Sequence, residues 1–134
     1  MTTSCCSRTN GETLVFTCAG AAYCGQVANR AGVQLMEQGA GTLFCIAAVA
    51  AGIAEKVDRI RQAATRVAID GCEDRCVLKT LEKAGLTAEV HVVLTEMGIE
   101  KKPARPNMIS DGKSVVDAVK AQLGLRSISS GCCG

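Results

Sequence analysis

Residues 66–76 read RVAIDGCEDRC, and this segment constrains the fold more than any other. A β-branched run stops at Asp70-Gly71, and two cysteines follow at C-x3-C spacing where the pattern turns helical. A strand, a tight turn and a helix in that order form the repeating unit of a parallel sheet. With residues 73–84 helical, Cys72 falls at the N-cap and Cys76 one turn on, so both sulfurs can face one point. A helix N-terminus carries partial positive charge and favours thiolates, the form of cysteine that binds metal or attacks electrophiles.

The rest of the chain alternates in the same way. Residues 13–18, TLVFTC, read as a buried strand and precede the Gly-containing turn AGAAYCG. Residues 26–38 place Val27, Ala31, Leu35 and Met36 at helical spacing, ended by Gly39. A short strand is expected over 42–45, a small-residue stretch over 47–52, and an amphipathic helix over 53–64 with Ile53, Val57, Ile60 and Ala64 on one side. The third strand covers 66–70. A fourth, EVHVVLT, covers 89–95, and a loop fixed by Pro103 and Pro106 follows it. The last helix spans 111–123, capped by Asp111, buried through Val115, Val116 and Val119, and ended by Gly124. Strands alternating with helices of this length predict an α/β fold, a three-layer Rossmann-like sandwich on a roughly four-stranded parallel sheet. The strand order expected is 2-1-3-4. One domain over 12–125 accounts for the pattern, with flexible cysteine-containing tails at 1–11 and 126–134.

The 134 residues suffice for a real core, and 48% are apolar, mostly aliphatic. Phe16, Tyr23 and Phe44 are the only aromatic residues, which argues against nucleic-acid modules that stack bases. A net charge of +2 without a basic run implies no polyanion partner; Lys101-Lys102 reads as a solvated loop. The polar N-terminus lacks an apolar signal region. The run LFCIAAVAAGIA falls short of the about 20 residues that span a bilayer. These features predict a cytoplasmic protein, with no membrane partner. There, nine cysteines, an odd number, point to metal or redox chemistry and not to a disulfide framework.

Placed on this frame, Cys18 ends the first strand, Cys45 ends the second, and Cys72 and Cys76 follow the third. Ligands of open parallel sheets bind outside the carboxyl ends of the strands, so four thiols from three strand ends converge on one edge. Four thiolates suit tetrahedral Zn²⁺, at Zn–S distances of about 2.3 Å; Cu(I) or an iron–sulfur cluster would accept the same donors. The helix dipole at Cys72 and nearby Arg75 would offset the negative charge of such a centre. Asp70 is expected to cap the following helix or accept N–H bonds in the turn instead of binding metal.

Other motifs carry less. Cys18-x5-Cys24 has the cradle spacing of cysteine phosphatases, but the arginine that grips the phosphoryl group is absent. Gly20-x4-Gly25 has P-loop spacing with Gln26 where lysine is needed. His91, the single histidine, lies inside a strand and reads as a half-buried structural residue. Met97 and Met108 read as gap-fillers. The doublets Cys5-Cys6 and Cys132-Cys133 sit in polar tails, where they could supply further ligands or simply oxidise.

The segments Phe16-Thr17-Cys18-Ala19-Gly20, Gly25-Gln26, Gly39-x-Gly41 before Cys45-x-Ala47, and Ile69-Asp70-Gly71-Cys72 with Cys76 together resemble the DGC domain family. That family is named for its Asp-Gly-Cys motif and described as zinc-binding through four chelating cysteines. The resemblance covers residues 12–100. It implies Cys18, Cys45, Cys72 and Cys76 as ligands of zinc and names no reaction. Cys24 departs from the family pattern, either replacing Cys18 or adding a reactive thiol. Two readings follow: a zinc-binding protein with those four ligands, or a thiol-dependent redox enzyme or persulfide carrier using Cys72 and Cys76.

Overall fold

Four apolar runs pair as β1 (Thr13–Thr17), β2 (Thr42–Leu43), β3 (Thr65–Asp70) and β4 (Val90–Val93), all parallel, in the order β2-β1-β3-β4. The computed structural model describes residues 11–103 and 109–125, with the backbone alone at 109 and 110. The sheet register sets Val15 opposite Val67 and Val67 opposite Val90. Alternation along the strands then sends Val15, Val67, Ile69, Val90 and Val92 to one face and Leu14, Phe16 and Ala68 to the other. Both faces are buried, which explains why the strands read as continuous apolar runs.

The first face is covered by α1 (Tyr23–Glu37) and α5 (Ile109–Gln122). The second is covered by α2 (Ile46–Ala50), α3 (Ala54–Gln62) and α4 (Cys76–Lys83), through Val49, Ile60, Val77 and Leu81. This is the three-layer α/β sandwich expected. Val115, Val116 and Val119 of α5 are buried as predicted. Phe16 and Phe44 meet edge to face with ring centres 5.9 Å apart on the second face, an arrangement that adds about 1 kcal/mol to their burial.

Several element ends differ from the expectation, each for a physical reason. The helix α1 starts at Tyr23, three residues early, because the Lys102 carbonyl accepts the Tyr23 N–H at 2.6 Å and satisfies the first free donor. Residues 46–50 form α2, a helix too short to show periodicity. Ile53 is the N-cap of α3 and 42% exposed, so the expected apolar side of that helix reduces to Ile60 with Val57 beside it. The fourth strand stops at Val93 and a 3-10 turn, Leu94–Met97, follows it. Met97 is exposed there and fills no gap. Asp111 lies inside the first turn of α5 and does not cap it; its carboxylate accepts the Tyr23 hydroxyl and clasps α1 to α5.

The largest difference from expectation lies between Asp70 and Cys76. Residues 71–75 form a turn, closed by the Arg75 N–H donating to the Cys72 carbonyl at 3.1 Å, and α4 begins only at Cys76. Arg75 holds a left-handed conformation at φ 52°, the one non-glycine residue with positive φ among those described. Cys72 is therefore four residues upstream of the helix and is not its N-cap. The doublets Cys5-Cys6 and Cys132-Cys133, with Pro106 and Met108, lie outside the described residues, as do the expected tails apart from Gly11.

Candidate functional site

The carboxyl edge of the sheet is assembled from the motif Asp70-Gly71-Cys72, and each of its residues has a separate physical task. Asp70 is 1% exposed. It takes the Val77 N–H on Oδ1 at 2.8 Å and the Leu78 N–H on Oδ2 at 3.2 Å. These are free donors in the first turn of α4, so the carboxylate at the end of β3 caps the helix across the intervening turn and meets its dipole. His91 Nε2 reaches the same Oδ2 at 2.8 Å from the neighbouring strand. Asp70 is thus occupied structurally, as expected, and His91 is its half-buried partner.

Gly71 permits a close approach. A Cβ there would lie 2.8 Å from the Gly25 nitrogen and 3.0 Å from the Cys24 carbonyl carbon. Gly25 in turn packs on Gly20, where a Cβ would meet backbone at 2.9 Å. The Gly20 N–H points to Cys18 Sγ at 3.4 Å, and Gln26 Nε2 ties the Gly20 carbonyl at 2.8 Å. Three backbone segments, each bearing a cysteine, are therefore stacked through glycines at distances no Cβ would allow.

The outcome for the thiols is a division. Cys72, two residues after β3, packs half-buried against the apolar cluster under α1 and α5, and Cys18, directly after β1, packs half-buried against the clusters on both faces. Cys24, the second residue of α1, belongs to the cluster under α1 and α5 and is 1% exposed. Burial pushes the Cys24 thiol above its ordinary pKa of 9.0, and negative charge on Cys72 and then Cys18 pushes the same way, while the Gly25 N–H and Lys101 oppose. Cys45 and Cys76 differ: both are exposed, Cys45 as N-cap of α2 and Cys76 as first residue of α4, helices of the opposite layer. Among the described residues all five thiols are free, and no group of three or more Cys, His, Asp or Glu side chains is arranged to hold a metal ion.

Lys101, expected as a solvated loop residue, reaches this edge through an ion pair. Its Nζ lies 3.2 Å from Asp74 Oδ2, and Cys72 Sγ lies 3.4 Å from the same oxygen. Asp74, and after it Cys72, hold the Lys101 ammonium well above the ordinary lysine pKa. Asp74 falls below the usual carboxylate range for the converse reason, Lys101 first and Cys72 second. The loop that delivers Lys101 is pinned by the Tyr23-to-Lys102 backbone bond and by a bridge between Ala22 and Pro103. A groove of about 400 Å³ opens beside Cys45, lined by Thr17, Asn29, Leu43 and Phe44. A larger hollow of about 770 Å³ lies at the opposite, amino edge around Glu12, Thr13 and Thr42, away from every one of these sulfurs.

A parallel α/β sandwich with a cysteine-lined carboxyl edge is the class that this fold and site define. The DGC domain model matches residues 14–119, and the chain belongs to that family. The chain is also 30% identical over 89 residues to the anaerobic and virulence modulator AnvM of Pseudomonas aeruginosa, covering 66% of this chain and 68% of that protein. No solved structure gives a significant match. Among the described residues, no helix is long and apolar enough to cross a membrane.

Proposed function

We propose that this DGC domain is a zinc-binding protein whose metal is held by cysteine thiolates at the carboxyl edge of the sheet. The ligand set that the family resemblance implies is Cys18, Cys45, Cys72 and Cys76. The observation that carries the reading is positional: each of the three strand-ends β1, β2 and β3 hands a cysteine to the same edge within two residues of its last strand residue. Soft thiolates fit a borderline-soft d¹⁰ cation, and the Lys101 ammonium beside Cys72 offsets thiolate charge. Because the donors stand apart in the free chain, binding would draw the 71–75 turn and the Cys45 segment together. Bound zinc would then supply a crosslink between loops, and its affinity would be coupled to their folding.

Zinc content measured together with thiols titrated before and after chelation tests the reading. The expected result is about one zinc per chain, lost in Cys72→Ser, with core thiols exposed only after chelation. Metal-free protein whose core thiols all titrate freely would sink it.

A second reading, a thiol-dependent redox enzyme or persulfide carrier working through Cys72 and Cys76, draws on the cation beside Cys72. The relative named an anaerobic modulator is in keeping with a thiol centre whose state follows oxygen. Helix-end activation no longer supports it, since Cys72 stands before the turn and not at the start of α4. A persulfide or Cys72–Cys76 disulfide trapped on the purified chain and found by mass spectrometry would favour it over zinc.

A further inference from the structure

We propose that Cys72 is an oxidation site for small hydroperoxides, and that Lys101 and Asp74 assist the reaction at its sulfur. The inference rests on the thiol reading above and names the substrate class and the residues that serve it.

The side chains of Cys72, Asp74 and Lys101 meet at one oxygen. Cys72 Sγ donates to Asp74 Oδ2 at 3.4 Å, and Lys101 Nζ donates to the same oxygen at 3.2 Å. Among the described residues, this is the one thiol hydrogen bonded to an ionised side chain. Both sides of the cluster are tied down. Lys101 is brought in by the Tyr23-to-Lys102 backbone bond, and the 71–75 turn is held to the 3-10 turn after β4. Arg75 Nη2 donates to Glu96 at 3.0 Å there, and Thr95 Oγ1 donates to Glu73 at 3.4 Å.

The charges of Asp74 and Lys101 offset each other, so the pair does not favour an anionic reagent. Cys72 is also half-buried, which favours a small one. A hydroperoxide is small and uncharged, and its reduction needs what the cluster supplies. The sulfur attacks one peroxide oxygen, and the S–O bond forms as the O–O bond breaks. Cysteine is oxidised to sulfenic acid, and the peroxide is reduced to water or an alcohol. Negative charge builds on the departing oxygen, where the Lys101 ammonium stabilises it. The thiol proton passes by way of Asp74 Oδ2 to that oxygen.

The test uses the full metal-free chain with Cys5, Cys6, Cys132 and Cys133 replaced by serine. One sample receives hydrogen peroxide with dimedone, which caps sulfenic acid, and another receives iodoacetamide. Mass spectrometry assigns the products to each cysteine over time. Iodide leaves without a proton, so alkylation follows exposure and favours Cys45 and Cys76. Peroxide should instead mark Cys72 first. Lys101→Met should slow that step at least about tenfold and change the alkylation of Cys72 less than about twofold. Lys101→Arg should restore most of the peroxide rate. Peroxide marking Cys45 or Cys76 first would overturn this inference, as would a Lys101→Met variant that leaves the peroxide rate unchanged or slows both reagents alike. In those cases a reactive Cys72 still stands. A Cys72 inert to both reagents would overturn the thiol reading as well.

Discussion

His91 Nε2 and Asp70 Oδ2 lie 2.8 Å apart, joining β4 to the carboxylate that caps α4. Since backbone donors occupy both oxygens of Asp70, the imidazole serves as a third donor, with its proton placed on Nε2 by the network. The single histidine of the chain thus steadies the aspartate of the motif, and through it the start of the helix that carries Cys76.

Removing the two partners should therefore have unequal effects. Asp70→Ala leaves two helix-end N–H groups and the His91 ring without an acceptor, and should cost about 3 kcal/mol. His91→Val deletes one donor from a carboxylate that keeps two, and should cost about 1 kcal/mol. Urea unfolding of both variants measures the difference. Equal losses would mean that Asp70 acts only as the partner of His91 and not as the cap of α4.

Gly71 should tolerate no side chain. Its would-be Cβ meets backbone atoms of Cys24 and Gly25 at 3.0 Å or less, and backbone cannot rotate away as a side-chain tip can. Gly71→Ala is expected to destabilise by about 2 kcal/mol through overpacking. Gly85→Ala offers a contrast, because nothing lies within 4 Å of a Cβ there and the cost arises from its φ of 75° alone, about 1 kcal/mol. Urea midpoints of the two variants check the ranking.

The strands and the strand-end cysteines were legible because a sheet buried on both faces writes itself as unbroken apolar runs such as TLVFT and VAID, whereas the order in which those strands pair leaves no mark in such runs. Where a strand stops, its cysteine is placed. The start of α4 was not legible: Glu73, Asp74 and Arg75 suit a helix as well as a turn, and the choice is made by Asp70 reaching Val77 and Leu78 across the intervening residues. Lys101 was illegible for a similar reason. Its position depends on a backbone bond between Tyr23 and Lys102, a contact between segments far apart in sequence. The same holds for the burial of the thiols, since spacing sets which cysteines reach the edge but not which are covered.

Tyr23 gives an alkaline signature that can be read without a label, as it is the only tyrosine. Its hydrogen bond to Asp111, its burial and the Asp111 charge, in that order, raise its pKa above 10.0. A raised folded-state value means that the stabilisation is fully present below about pH 10, the unfolded value, and is lost as pH climbs through the folded one. Tyrosinate absorbance of the folded chain should therefore titrate above the midpoint seen in urea. Asp111→Asn should bring the folded midpoint down towards the urea value. Coincident folded and unfolded curves in the unaltered chain would contradict the clasp between α1 and α5.

The five described thiols should react in an order set by layer and burial. Cys45 and Cys76, exposed at the starts of α2 and α4, meet reagent without any opening of the fold. Cys18 and Cys72 are half-buried and should follow. Cys24 should come last for two compounding reasons: at 1% exposure it needs local unfolding, and its raised pKa keeps it as the less reactive thiol near neutral pH. Alkylation of metal-free chain, mapped to each cysteine by mass spectrometry over time, reads this order directly. The same raised pKa has a stability counterpart. The Cys24 contribution is intact below the ordinary value of 9.0 and declines as pH rises through the folded-state value. The urea midpoint should fall above about pH 9 in the unaltered chain and fall less in Cys24→Ala. Early labelling of Cys24 alongside Cys45 would show that the glycine contacts around Cys24 open readily.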